Sequence, residues 1–109
     1  MSPTARSLKR LRELGFVAEV VERFIPGARV RRDFLGLADV LAFYPGQPGV
    51  LAVQACVTGD QAKRAKKMRL NANTALWRSS GNGLAVWGWG KRGPRGTRKR
   101  WTLSVTEIV

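Results

Sequence analysis

Histidine is absent from this chain of 109 residues, and cysteine occurs once, as Cys56. The first absence excludes histidine-based catalysis and removes the commonest metal ligand of proteins, while the second excludes an internal disulfide. Cys56 is expected to be a small buried apolar residue. Any metal bound here must be held mainly by carboxylate, carbonyl and water oxygens, which favour Mg²⁺ or Mn²⁺ over Zn²⁺.

Long apolar runs are also missing from the sequence. No stretch approaches the roughly 20 apolar residues needed to cross a bilayer. The N-terminal residues lack the apolar core of a signal peptide. The sequence therefore predicts a protein that does not interact with the membrane.

Acidic residues are few, because seven Asp and Glu stand against 20 Lys and Arg and give a formal charge of +13. Since 44% of the residues are hydrophobic, the chain is expected to fold as one domain over residues 1–109. Such an excess of positive charge predicts a polyanionic partner, with nucleic acid favoured over an anionic lipid surface. We therefore expect a cytoplasmic, DNA-associated protein.

Segments with helical and strand periodicity follow one another and predict an α/β or α+β fold, with a sheet flanked by helices. The expected elements are, in order, a helix capped by Ser2 or Thr4 and ended by Gly15; strands over Phe16–Ile25, over Val30–Asp33 with a bend at Gly36 and continuation over Leu37–Tyr44, and over Val50–Val57; a basic helix over Ala62–Met68, interrupted near Asn71 and continued through Leu76 and Trp77; and strands over Leu84–Gly90 and Trp101–Val109.

The segment between the last two strands carries six positive charges and no acid. It is predicted to project as a flexible arm of a second hairpin and to bind nucleic-acid phosphates. Its cations are Lys91, Arg92, Arg95, Arg98, Lys99 and Arg100. Trp87 and Trp89 share one face of the preceding strand, where they either pack in the core, the favoured interpretation, or form a platform for unstacked bases.

An apolar hairpin from Leu37 to Thr58 carries Asp39 on its first strand and Gln54 on its second. Pairing across the turn at residues 45–49 places Asp39 directly opposite Gln54, whereas a slip of one residue would place them on opposite faces. An amide inside an apolar strand must find hydrogen-bond partners, because an unpaired amide would lower the stability of the fold by about 1–3 kcal/mol. This polar pair is therefore predicted to present metal ligands, the alternatives being a turn cap for Asp39 and a structural partner for Gln54.

The string Arg32-Asp33-Phe34-Leu35-Gly36-Leu37-Ala38-Asp39-Val40-Leu41, followed by Val53-Gln54, resembles the PD-(D/E)xK nuclease superfamily. More narrowly, it is similar to small phage and Holliday-junction-resolvase-like members. The resemblance extends over nearly the whole chain. It implies a restriction-endonuclease-like core, with a central mixed β-sheet of about five strands flanked by helices. It also implies a homodimeric endonuclease that uses Mg²⁺ or Mn²⁺ to cut branched or structured DNA.

The resemblance also implies roles for individual residues. Asp39 and Gln54 correspond to the metal ligands of the superfamily, and the carbonyl oxygen of Ala55 is a third candidate ligand. Cys56 occupies the position of the usual lysine and cannot supply its charge. Some members carry this lysine on the following helix, so the role is assigned to Lys67.

Two further assignments remain open in the sequence. Lys63 and Arg64 lie on the same helix as Lys67 and are alternatives for its role, and both are expected to bind DNA. A second acid is needed because one carboxylate and two neutral oxygens make a weak metal site. Glu22 is preferred for it, with Glu19 and Asp33 as the alternatives.

The loss of the motif lysine and the amide at position 54 also allow a different function. The same fold could be a catalytically inactive, basic module that binds nucleic acid. A third and less favoured possibility is an RNA-binding or ribosome-associated protein, since the charge would be the same. Metal-dependent cleavage distinguishes the first two functions, and substrate preference distinguishes the third.

Overall fold

Apolar residues lie on both faces of the central strands, so helices cover both sides of the sheet. The computed structural model describes residues 1–109. It confirms an α+β fold, in which three helices accompany a mixed sheet of five strands. The helices are α1 (Pro3–Glu13), α2 (Gln61–Leu70) and α3 (Ala72–Ser79), and a 3-10 turn (Thr58–Asp60) precedes α2. The strands are β1 (Val17–Val20), β2 (Arg23–Ile25), β3 (Val30–Arg32), β4 (Val40–Phe43), β5 (Leu51–Val57), β6 (Gly83–Arg92) and β7 (Arg100–Glu107). None of the helices has both the length and the hydropathy of a membrane span.

The strand order in the central sheet is β1-β4-β5-β6-β7, and only the pair β5–β6 is parallel. Strands β1, β5 and β6 therefore run in the same direction. Their last residues, Val20, Val57 and Arg92, mark what we call the carboxyl end of the sheet. Strands β2 and β3 form a separate two-stranded sheet, which follows β1 at this end.

Two apolar clusters form the core, one on each face of the sheet. On one face, Leu11 of α1 packs with Trp87 and Trp89 of β6. On the other face, Met68 of α2 packs with Val86 of β6. Both tryptophans are buried, which confirms core packing and rules out an exposed aromatic platform at these positions.

The ends of the helices follow local capping signals in the sequence. Ser2, the first of the two candidate caps, accepts a hydrogen bond from Ala5 N at 3.1 Å. Gly15 follows α1 with a left-handed φ of 97°, which glycine adopts at little cost. Asn71 ends α2 and caps α3 by accepting a hydrogen bond from Asn73 N at 2.8 Å.

The prediction of one strand over Phe16–Ile25 is wrong, because this segment forms two strands in two sheets. After β1 the chain turns at Val21 and Glu22. Both of their N–H groups donate to the carbonyl of Asp39, at N···O distances of 2.8 and 3.3 Å. Strand β4 begins just after Asp39, so a straight continuation of β1 would have no partner on that side.

The prediction of a bent strand from Val30 through Gly36 to Tyr44 is also wrong. Its two halves are β3 and β4, which belong to different sheets and are joined by a loop over residues 33–39. Leu35 and Gly36 adopt left-handed φ values of 57° and 71°. Asp33 Oδ1 accepts a hydrogen bond from Gly36 N at 3.0 Å and closes this turn.

The loop of the basic arm is shorter than the sequence predicts. Lys91 and Arg92 lie in β6, Arg100 lies in β7, and Arg92 pairs with Arg100. Only residues 93–99 connect the strands, so three residues of the predicted flexible segment 91–100 belong to a paired β-ribbon. Its strands continue because each residue has a partner across the hairpin, which composition alone does not reveal.

Gln61, the first residue of α2, is buried against the sheet. Its Nε2 donates to Val86 O at 3.3 Å, to Ser104 O at 2.8 Å and to Thr106 Oγ1 at 3.1 Å. The amide fits there only because Gly88 has no side chain, since a Cβ at Gly88 would overlap it. This glycine therefore fixes how α2 sits on β6.

We expect Gly88→Ala to lower the free energy of unfolding by about 2 kcal/mol, because the buried Gln61 amide must move and lose its partners. Urea denaturation measures the change. The same substitution should cost at least about 1 kcal/mol less in a Gln61→Ala background, where the overlap is gone. Gly59→Ala is the control, since a Cβ there meets nothing within 4 Å. Additive effects of Gly88→Ala and Gln61→Ala would contradict this packing.

Candidate functional site

A polar cavity of about 530 Å³ opens at the carboxyl end of the sheet, on the face covered by α2. None of the ten residues that line it is hydrophobic. Four of the seven acidic residues of this basic chain are among them. The ten residues are Glu22, Arg31, Asp33, Gly36, Asp39, Gln54, Asp60, Lys63, Arg64 and Lys67.

Asp39 and Gln54 lie side by side on the floor of this cavity. The β4–β5 register pairs Val40 with Val53, which confirms the predicted alignment. Asp39, just before the first residue of β4, therefore lies opposite Gln54. The two side chains share the face of the sheet that is opposite to Val40 and Val53. Both are at least 90% buried.

The Asp39 carboxylate replaces a rung of the β-ladder. Asp39 N donates to Val53 O at 2.9 Å, and Ala55 N then donates to Asp39 Oδ2 at 3.0 Å. Because alternate residues of a strand direct their N–H and C=O groups to the same edge, the Ala55 carbonyl also points to the edge that β4 leaves open. The ladder thus ends with a carboxylate and a main-chain carbonyl at one edge.

The Gln54 amide is held in one orientation. Its Nε2 donates to Leu37 O at 3.3 Å, and its Oε1 has no partner in the protein. The same holds for Oδ1 of Asp39. Neither oxygen is sealed from solvent, so both remain able to bind a ligand within the cavity.

Burial is the main cause of an unusual protonation equilibrium at Asp39. It raises the pKa of this carboxyl from 3.8 to about 6. The hydrogen bond from Ala55 N lowers the pKa, the charges of Glu22 and Asp33 raise it, and the charge of Arg64 lowers it. A carboxylate that is costly to ionise gains the most from a cation placed beside it.

Residues of α2 and of the turn before it form one wall of the cavity. Asp60, Lys63, Arg64 and Lys67 recur at intervals of three and four residues, so they lie on one face of the helix. This face presents three cations and one acid to the cavity. These cations lie where they can offset negative charge on a ligand bound in the cavity.

The segment that contains β2 and β3 forms the opposite wall. Arg31 Nη1 and Glu22 Oε1 form an ion pair at 3.5 Å. The Glu22 side chain is only 20% exposed, whereas that of Arg31 is 73% exposed. Asp33 also lines this wall, with one carboxylate oxygen bound to the turn at Gly36.

The structure sorts the predicted site residues into two groups. Asp39, Gln54 and Lys67 line one cavity with the preferred acid, Glu22. The alternative acid Glu19 lies outside the cavity, with a side chain that is 81% exposed. Lys63, Arg64 and Asp33 are also brought into the cavity, so they remain alternatives.

The cations of the basic arm stay outside the cavity but lie at the same end of the sheet. Gln54 pairs with Val86 on the adjacent strand, and Lys91 lies five residues further along β6. At about 3.3 Å per residue, the arm therefore begins about 17 Å beyond the cavity floor. Its base is tied to α1, because the Arg6 guanidinium lies 4.2 Å from the ring centre of Trp101.

Two charged residues of the cavity, Arg31 and Asp60, were not predicted from the sequence as site residues. Arg31 was missed because its strand was predicted to continue towards Gly36, which hides its pairing with the segment that carries Glu22. Asp60 precedes Arg64 by four residues, and this helical spacing is the signal that could have identified it.

The donor set of the cavity is made of oxygen atoms. Asp39 Oδ1, Gln54 Oε1 and the Ala55 carbonyl lie at one edge, and Glu22 is close enough to raise the pKa of Asp39. Such a set fits a hard cation such as Mg²⁺ or Mn²⁺. No three acidic or cysteine side chains converge into a ready metal cluster. Cys56 is buried, and burial raises the pKa of its thiol.

Comparison of the chain with protein-family models, with curated proteins and with solved structures gives no significant match.

We expect Asp39→Asn to stabilise the metal-free protein at neutral pH. The pKa of Asp39 is higher in the folded state than in the unfolded state, so the protonated carboxyl stabilises the fold. This contribution to the free energy of unfolding is fully present below about pH 4 and is lost as the pH rises through about 6. The substitution should therefore add about 3 kcal/mol to the free energy of unfolding at pH 8 and little at pH 3.5. Urea denaturation in EDTA at both pH values measures this difference.

Glu19→Gln is the matched control, because Glu19 is exposed and should show no such dependence on pH. Equal effects of Asp39→Asn at pH 3.5 and pH 8 would contradict a desolvated carboxylate at this position.

Proposed function

We propose that this protein is a DNA endonuclease that uses Mg²⁺ or Mn²⁺ to hydrolyse phosphodiester bonds on a restriction-endonuclease-like core. The observation that carries the proposal is the pairing of Asp39 with Gln54 at the open edge of β5. The two residues form the floor of a cavity, and the cations of α2 form one of its walls. An anionic substrate needs the cations, and a metal needs the buried oxygens. The resemblance to PD-(D/E)xK nucleases in residues 32–54 supports the same function.

The donor atoms have distinct parts in this proposal. Asp39, Gln54 and the Ala55 carbonyl would hold the metal, and Glu22 would add the second negative charge. When bound, the metal would stabilise the negative charge that develops on the phosphate oxygens during hydrolysis. Its binding would also lower the pKa of Asp39, because a nearby cation favours the ionised carboxylate.

The cations of α2 would act on the substrate directly. Lys67 would orient the attacking water and balance negative charge on the phosphate, while Lys63 and Arg64 would hold the flanking phosphates. Cys56, at the position of the usual lysine, is buried and carries no charge at neutral pH, since burial raises its thiol pKa. The charge must therefore come from the helix.

The form of the substrate follows from the same proposal. The basic arm, from Lys91 to Arg100, would contact DNA about 17 Å from the cleaved bond, which is roughly five base pairs along a duplex. One cavity per chain cuts one strand at a time. A homodimer would supply two sites for paired cuts in branched or structured DNA.

A second candidate function has one specific observation in its favour. Asp39 is the only carboxylate on the floor of the cavity, and no three-acid cluster is present. A catalytically inactive module that binds nucleic acid would keep the basic walls and the folded core. It would bind DNA tightly and cleave none of it.

We expect cleavage of labelled DNA in Mg²⁺ or Mn²⁺ and none in EDTA, with four-way junctions cut faster than duplex, flap or single-stranded DNA. Asp39→Ala should abolish cleavage because it removes the only anionic ligand on the cavity floor. Gel analysis of the products measures the rates. Tight binding without cleavage in either metal would favour the inactive module, and cleavage that survives Asp39→Ala would reject this site.

Lys67→Ala should lower the cleavage rate by about 100-fold or more, since loss of a charge-stabilising donor typically has such an effect. Lys66→Ala is the matched control, because Lys66 is exposed on the same helix and does not line the cavity. Both variants should bind DNA in EDTA within about threefold of the parent protein. Equal cleavage by the two variants would transfer the role to Lys63 or Arg64.

A further inference from the structure

The β2–β3 hairpin, residues 21–33, is rich in arginine and stands apart from the central sheet. Its strands pair with each other and not with the five-stranded sheet. Four of its residues are arginines, and all of them are exposed. They are Arg23, Arg29, Arg31 and Arg32.

The two faces of this hairpin differ in what they present. Glu22, Arg31 and Asp33 lie on one face and line the cavity. Arg23 and Arg32 are direct cross-strand partners, and strand alternation places them on the opposite face. Only Arg31 is therefore in a position to act on a ligand inside the cavity.

Arg23 and Arg32 form a pair of like charges. Directly opposed like charges destabilise a β-ribbon, and this ribbon has only three residue pairs. The protein contains two ion pairs, Arg31–Glu22 and Arg12–Glu19, so neither arginine of the outer face has an acidic partner. This arrangement has no benefit for folding, and a polyanion would neutralise it.

The outer face does not lie along the path already assigned to DNA. The cavity is bounded by α2 and by the inner face of the hairpin, whereas the basic arm continues β6 and β7, which lie at the opposite edge of the sheet from β1. Four strand spacings separate β1 from β7, about 19 Å in total. A DNA segment held by the cavity and the arm would therefore leave Arg23 and Arg32 free.

We propose that the outer face of the β2–β3 hairpin, formed by Arg23 and Arg32, binds the phosphates of a second DNA segment. This inference rests on the proposed function for the nature of the ligand, although it needs no cleavage. A duplex bound in the cavity gains nothing from this surface. A four-way junction, which places another arm beside the first, gains two phosphate contacts.

The test measures metal-free binding, so its result does not depend on catalysis. Dissociation constants are determined in EDTA for a four-way junction and for a linear duplex of the same length, over a series of KCl concentrations. The variant is Arg23→Gln with Arg32→Gln. The control is Lys9→Gln with Arg10→Gln, which removes the same charge from exposed positions of α1.

We expect the hairpin variant to bind the junction about tenfold more weakly and the duplex within about twofold of the parent. The slope of log Kd against log salt should fall by about 1.8 for the junction, since each lost phosphate contact contributes about 0.9. The control variant should change both substrates equally. Equal losses on junction and duplex, or no loss on either, would overturn the proposal.

A stability measurement separates a binding role from a structural one. Arg32→Glu replaces the like-charge pair by an opposite pair, so the thermal midpoint should stay the same or rise. Junction binding should nevertheless weaken at least as much as in the double variant. A lower midpoint together with unchanged junction binding would mean that these arginines serve the fold.

The outcomes distinguish this inference from the nuclease proposal. A protein that cuts DNA but shows no selective loss in the hairpin variant would retain the active site and lose this surface. A protein that cuts nothing but shows the selective loss would keep the surface as part of a module that binds junctions.

Discussion

The hydrogen bond from Ala55 N to Asp39 Oδ2 is the interaction on which the site depends. It allows β4 to begin at Val40 while β5 continues to Val57, because a side-chain oxygen takes the place of the missing backbone acceptor. The main-chain carbonyl of Asp39 accepts from Val21 and Glu22 and turns the chain out of the sheet. One residue therefore ends a strand, starts the hairpin wall and faces the cavity.

This arrangement lowers the stability of the fold at neutral pH, because the buried Asp39 carboxyl is costly to ionise. Four of the seven acids line one cavity, and burial there raises the pKa of Asp39 to about 6. An acid that served only to cap a strand would be more stable as a neutral amide. A carboxylate at this buried position, beside Glu22 and facing a cationic helix, fits the metal and the anionic substrate of the proposed nuclease.

The β4–β5 pairing was predictable from sequence, because a short Gly/Pro turn between two apolar runs specifies the register, and an amide in an apolar strand marks the site. The break after β1 was not. Residues 16–25 have uniform strand character, and the signal that ends the strand is the carbonyl of Asp39, which is remote in sequence. The place of Arg31 in the cavity wall depends on that break and escaped prediction, whereas Glu22 was selected from the sequence as the preferred second acid.

The location of the cation follows from the packing of α2. Cys56 lies two residues beyond Gln54 on the same face of β5, and it is buried with Ala65 and Met68 of α2. A lysine at position 56 would place an ammonium group beneath the helix, where desolvation disfavours its charge. The residues of α2 that flank this contact, by contrast, reach the cavity. In the proposed nuclease, a small residue at position 56 and a cation at position 67 are two consequences of one close contact between strand and helix.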